Sequence, residues 1–333
     1  MHLKSIYSLL AFFLISNCTF AQNQGKSIAG QILNTVEYNT QSEINIEESK
    51  LLEKISDSRS STITLPFIDQ ELTFSKSEFS IFGGEGDPEG QIRTFRVTCK
   101  EDPLLQGRIV TGALGISITY LYNGKLVKIY SDDSTGARKY FQQVGPKKET
   151  QFSCGNHDDP HHEHYTPTVS NILDKDSKEL LRSVGASRRL YRVAVACTGE
   201  FYQGNGGNAN SARMAATTLL TDISMFFERE ANIELRFSSG SPRLFTDPGS
   251  DPFPGTGAQE SQREIPKLFN NNSYDVGHTF HTLPSGGSGT AGVGVVCLNT
   301  DRKAAGWSGF STCLLYTSPS PRDATLSRMP SSA

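Results

Sequence analysis

Leu190-Tyr191-Arg192-Val193-Ala194-Val195-Ala196-Cys197 is the stretch on which the fold turns. Its second half is apolar at consecutive positions, the pattern of a central strand buried on both faces. A Gly/Asn loop runs from Gly204 to Asn210. Beyond it Ala212, Ala215, Leu219, Ile223, Phe226 and Phe227 recur with helical period. The spacing predicts a helix over Ser211 to Ala231, capped by Asn210 or Ser211. Ile233, Leu235 and Phe237 then alternate as a second strand. A Pro/Gly loop (Asp247 to Gly257), a short helix near Glu264 to Phe269 and a buried strand at Val293 to Leu298 complete the pattern. Strand, helix, strand indicates an α/β layer.

Upstream the periodicity is different. Thr62 to Leu65, Leu72 to Phe82 and Ile92 to Cys99 alternate with period two, and a helix is expected around Ile44 to Ile55. Ile116 to Tyr130 holds two β-rich runs flanking Asn123-Gly124, a dipeptide suited to a type I′ hairpin turn. The first domain is therefore β-rich and the second α/β, an α+β chain overall. Residues 153–188 read as a linker, with a His-rich run, prolines and the pair Arg188-Arg189. Segments of this kind are where proteases cut. A pro-segment boundary and an ordinary interdomain linker both fit.

The chain has 333 residues, 36% hydrophobic and 20% charged, with a formal net charge of -3. That length suggests about two domains. The near-neutral charge leaves no footprint for nucleic acid, and the mature chain has no apolar run long enough to span a membrane. Lys4, the apolar run Ile6 to Ile15 and Thr19-Phe20-Ala21 form a signal peptide cut before Gln22, which implies a secreted or periplasmic protein. Lipidation at Cys18 is the alternative, though Asn17 fits a lipobox poorly. Cleavage leaves Cys99, Cys154, Cys197, Cys297 and Cys313, an odd set, so one thiol has another job or the chain is incomplete.

Several motifs could carry chemistry. Gly287-Ser288-Gly289-Thr290-Ala291-Gly292 matches G-x-G-x-x-G, but it leads into the strand expected at Val293 to Leu298 and not into a helix. A turn is favoured over a dinucleotide site. His157, His161, His162 and His164, with Asp158, Asp159 and Glu163, suit zinc chemically, yet they lie in a polar run containing Pro160. His278 and His281 are expected on strand and loop, in structural roles. Cys154, in Phe152-Ser153-Cys154-Gly155, is the remaining candidate. A pro-segment thiolate can occupy the zinc position that catalysis needs for water, while a surface or disulfide cysteine is the bland alternative.

The second domain as a whole resembles the bacterial reprolysin-like zinc metallopeptidases, a branch of the metzincins. The likeness rests on Arg192 to Tyr202, on the helix with Ala215-Ala216-Thr217-Thr218 and Phe227-Glu228-Arg229-Glu230, and on Tyr274-Asp275-Val276-Gly277-His278-Thr279-Phe280. Ala291 to Cys297 and Lys303 to Gly309 extend it. The resemblance implies a zinc endopeptidase acting on proteins or peptides, with the first domain as a pro-segment and Cys154 as an inhibitory zinc ligand. Cys197 and Cys297 then fall on strands that could be neighbours, a candidate disulfide, while Cys99 and Cys313 have no assigned partner.

One departure stands out. The H-E-x-x-H-x-x-G-x-x-H helix that would supply two zinc-binding histidines, the general base and a third histidine is absent from this chain. Leu314 to Ala333 has no periodicity, and Leu315 to Asp323 resembles translated sequencing-adapter sequence. The expected organisation is a signal peptide (1–21), a β-rich pro-segment (22–152), a linker (153–188), the N-terminal part of a metallopeptidase domain (189–313) and a non-native tail (314–333). A chain so organised would lack catalytic residues and be inactive itself, Zn2+ belonging to the full-length parent. A secreted noncatalytic module with a degenerate protease fold, and a periplasmic metal-binding protein using the His-rich run, are the other readings.

Overall fold

A computed structural model describes residues 27–83, 87–133, 137–145, 152–154, 187–254, 257–292 and 294–311. It is a mixed α and β structure of two sheets with one long helix between them. Two short helices accompany the first sheet, α1 (Ile28–Thr35) ahead of its first strand and α2 (Glu48–Ser56) between its first and second. Its strands are β1 (Thr40–Ile44), β2 (Thr62–Phe67), β3 (Gln70–Phe79), β4 (Arg93–Cys99), β5 (Gln106–Gly112), β6 (Gly115–Tyr122), β7 (Lys125–Asp132) and β8 (Lys139–Val144). They run antiparallel in the order β1-β8-β7-β6-β5-β4-β3-β2. Asn123 and Gly124 both take positive φ between β6 and β7, so the expected hairpin turn forms where asparagine and glycine accept that conformation cheaply. The helix expected around Ile44 to Ile55 starts later, since residues 40–44 pair with β8.

One face of this sheet is apolar. Leu65, Phe67, Phe74, Phe95, Ile109, Ile118, Tyr120 and Val127 pack there with Ala29, Ile32 and Leu33 of α1 and Leu51 and Ile55 of α2. The opposite face carries Arg96, Arg108, Ser117, Thr119 and Lys128. Alternation of this kind ordinarily marks a solvated face. Here all eight positions of β6 are buried, because the polar face is covered by the long helix.

The second sheet contains β9 (Phe152–Cys154), β10 (Arg189–Cys197), β11 (Ile233–Phe237), β12 (Arg243–Leu244), β13 (Val276–Leu283), β14 (Gly287–Ala291) and β15 (Gly306–Ser311). Its order is β11-β10-β13-β15-β14-β9, with β12 also on β10. β10, β11, β13 and β15 are parallel, and β14 is antiparallel to β15. Val193 to Cys197 are buried at every position, as a central parallel strand should be. Val193, Val195 and Cys197 face one core and Ala194 and Ala196 the other.

The helices are α3 (Gly199–Gly204), α4 (Ala209–Ala231) and α5 (Ala258–Leu268). α4 starts two residues before the expected position because Asn208 is its cap, accepting from Ser211 N at 2.8 Å. It stops at Asn232, whose left-handed conformation lets its N–H reach the Phe227 carbonyl. Ala212, Ala215, Ala216, Leu219 and Leu220 face the second core, while Met214 packs with Ile92 and Val110 of the first domain. Phe227, expected on the apolar stripe, is exposed.

Two expectations are corrected. The buried strand expected at Val293 to Leu298 is absent from 294–298: Gly294 and Cys297 take positive φ, and Val296 and Leu298 are exposed. The glycine-rich run itself is the strand. Cys197 and Cys297 are free thiols, not a disulfide. Cys197 stands beside Phe280 near the C-terminal end of β10. Cys297 donates its N–H to the Asp275 carbonyl, and the Asp275 N–H reaches Arg192 O, near the opposite end of the strand. Five residues at about 3.3 Å each separate those levels, well beyond the Cα spacing of about 7 Å that a disulfide tolerates.

Candidate functional site

The carboxyl ends of parallel strands are where sheets of this type present ligand-binding groups. At the end of β10, Thr198 caps α3 by accepting from Phe201 N at 3.2 Å. The same hydroxyl lies 3.0 Å from His281 Nδ1 on β13. Glu200 Oε2 is 3.5 Å from that nitrogen, and the Trp307 ring lies 5.8 Å from the imidazole. Burial holds the His281 pKa below its ordinary value, against the pull of Glu200, Asp251 and Glu260. His278, three residues earlier on the strand, bonds Ser308 Oγ through Nε2 at 2.9 Å. Burial brings its pKa down to about 4. The strand separates these histidines, and each is satisfied locally.

Backbone packing fixes this corner. A Cβ on Gly199 would stand 2.2 Å from Pro248 N and 2.4 Å from Asp247 C. The Gly199 N–H also donates to Asp251 Oδ2 at 2.7 Å. Gly199→Ala is therefore expected to destabilise the second domain by about 3 kcal/mol, at the upper end for overpacking. Urea unfolding followed through Trp307, the single tryptophan of the chain, measures it. An unchanged midpoint would mean that the 247–251 loop yields freely.

The free edge of β14 is taken by β9. Phe152, Ser153 and Cys154 pair in parallel with Gly287, Ser288 and Gly289. Gly289 in turn pairs with Ser308, Ser308 with Phe280, and Phe280 with Cys197. Cys154 thus stands in a transverse row across the sheet, at its outer edge. An extended segment added to an edge strand binds through main-chain hydrogen bonds in the same mode as many recognised peptides. The G-x-G run is consequently a strand paired with β15 on one side and β9 on the other, not a nucleotide turn. The sequence missed this because glycine weakens strand propensity, and the signal for a strand here is the pairing partners.

Among the described residues, no group of three or more His, Cys, Asp or Glu is arranged to hold a metal ion. His157, His161, His162 and His164 lie outside the described residues. The described groups therefore do not make a zinc site, and no catalytic step is assigned to them. Arg188, read as part of a cleavage pair, bonds Glu228 and Glu234 at 3.2 and 3.4 Å. Arg189 already belongs to β10 and donates its N–H to Asn232 O.

Residues 187–318 match the family model for metallo-peptidase family M12B, reprolysin-like. Among curated proteins no sequence matches the chain. Among solved structures the chain is similar to metalloproteinase-II from Bacteroides fragilis, at 8% identity, covering 84% of this chain and 81% of that one with a TM-score of 0.38. Over residues 187–318, therefore, the chain is similar to the reprolysin-like metallopeptidases.

Proposed function

We propose that this chain is part of the precursor of a secreted zinc-dependent metalloendopeptidase that hydrolyses peptide bonds in proteins or peptides. The observation that carries this reading is the M12B match over residues 187–318. In that segment lies an edge strand, β14, which a segment from outside the matched region already occupies. The first sheet acts as the pro-segment, and Cys154 as the inhibitory zinc ligand of the latent form. No zinc-binding motif is present in this chain, so the polypeptide as it stands is inactive. The Ile6 to Ile15 signal directs export.

The test joins the gene to the protein. The genomic locus is sequenced through the codon for Cys313 and onward, and the continued protein is expressed and assayed with an internally quenched peptide. The reading expects H-E-x-x-H-x-x-G-x-x-H shortly after Ser311, about one bound zinc per chain, and hydrolysis abolished by a chelator. Cys154→Ala should raise activity before any processing. A continuation without the motif would overturn the peptidase reading in favour of a noncatalytic module. An active enzyme indifferent to Cys154→Ala would remove the inhibitory role alone.

A further inference from the structure

The two sheets are joined at a place remote from β14. After β3, residues 80–82 leave the first sheet and enter the second core. Ile81 is fully buried there among Val193, Leu219, Leu235 and Phe237. The Phe82 ring stacks on Phe237 at 5.2 Å, and the Ile81 carbonyl accepts from Phe237 N at 2.8 Å. That bond caps β11, the strand at the other edge of the second sheet.

Beside this plug, the polar face of the first sheet meets a line of charges on and after α4. Arg213 bonds Asp87, and Lys128 bonds Asp222 at 2.8 Å. Arg108 bonds Glu228 at 3.0 Å, and Arg96 reaches Glu234 at 3.1 Å. Arg213, Asp222 and Glu228 are spread along the length of α4, so the contacts run from its first turn to its last. Positive charges on the sheet face negative charges on the helix at its centre. Both sides are desolvated, and the apolar plug closes one end. This is the anatomy of a stable interface between proteins, with an apolar anchor, buried charge pairs and a sealed periphery.

We propose that the first sheet is a docked partner of the second domain, so that cutting the connection at 155–186 leaves the two pieces as one non-covalent complex. β9 lies on the first-sheet side of such a cut, only a few residues beyond β8. Tethered to a docked sheet, it would act at an effective concentration of order millimolar and keep the β14 edge covered. The cut form is then still closed, and opening needs a second event that detaches the first sheet. The docking itself does not rest on the peptidase reading.

The test uses the full chain with a site-specific protease sequence inserted between residues 165 and 175. After cutting at neutral pH and moderate salt, both pieces should elute together in size-exclusion chromatography, with Trp307 emission unchanged. Ile81→Ala should speed dissociation of the cut complex by at least about tenfold. Should Ile81→Ala fail to fold, the charge pair decides: Lys128→Glu should separate the cut pieces, and Lys128→Glu with Asp222→Lys should restore co-elution. Wild-type pieces that part on cutting would overturn the proposal. So would co-elution that none of these substitutions weakens.

Discussion

Replacing Glu228 with alanine is expected to lower the unfolding free energy by roughly 3–5 kcal/mol, the effect of leaving a buried cation without its partner. Arg108 is nine-tenths or more buried, and burial pulls its pKa below the ordinary value against the opposing pull of Glu228. Its guanidinium bonds Glu228 Oε2 and the Gly107 carbonyl. Arg96 and Arg188 reach the same carboxylate. With Glu228 gone, Arg108 must draw water into the interface or expose the sheet. Arg108→Met together with Glu228→Met should recover most of the loss, because matched apolar residues need no counter-charge. Urea unfolding followed by far-ultraviolet circular dichroism and by Trp307 fluorescence tests this, one probe reading both sheets and the other only the second. A loss below about 1 kcal/mol would mean that the cluster behaves as a solvated surface network.

Acid is expected to remove about 3 kcal/mol of stability between pH 6.5 and 4 through His278. Burial brings this imidazole from 6.5 down to about 4. The unfolded chain therefore takes a proton that the folded chain refuses, so unfolding gains as pH falls. The contribution is complete above 6.5 and shrinks towards pH 4. His281 adds to the same window with the same sign. Asp87 and Glu234 belong to a lower one. Burial would raise both, but Arg213 and neighbouring N–H groups hold Asp87 down, and Arg236, Arg96 and Arg188 hold Glu234 down. Their stabilisation is present above the ordinary carboxyl values of 3.8 and 4.5 and fails as pH drops below them. His278→Gln should shrink the upper window to the part His281 supplies and leave the lower one intact. Unfolding midpoints at pH 7, 5.5 and 4.5 test the assignment, which fails if variant and wild type lose stability in parallel.

Much of the second sheet was legible because burial leaves a local mark. Consecutive apolar residues at Val193 to Cys197 announce a central strand, and the period of Ala212 to Ile223 announces α4. The hairpin at Asn123-Gly124 is written in two residues. What stayed hidden depends on partners distant in sequence. Gly287 to Ala291 carries no propensity for a strand, and it becomes one by pairing with β15 and β9. Arg96, Arg108 and Lys128 fall on the face that alternation ordinarily leaves to solvent, and nothing local says that a helix from the second half of the chain covers them. The proposed disulfide failed for a related reason: Cys297 lies on no strand, and the loop that carries it packs at the level of Arg192, far along β10 from Cys197. Among the candidate residues, Cys154 was placed on chemical grounds, and its pairing with Gly289 supplies the neighbour that spacing does not give.

The order of pairing carries a consequence for how the molecule is made. From β2 to β8 each strand of the first sheet pairs with its neighbour in the chain. The second sheet joins its strands out of order and borrows β9 from ahead of β10. Local pairings close early and distant ones late. Synthesis from the N-terminus delivers β2 (Thr62–Phe67) through β8 (Lys139–Val144) before any strand from β10 onward exists. That meander can therefore be complete, with Ile81 already presented, while the chain that will wrap around it is still leaving the ribosome. The later half is assembled on a surface the earlier half has finished.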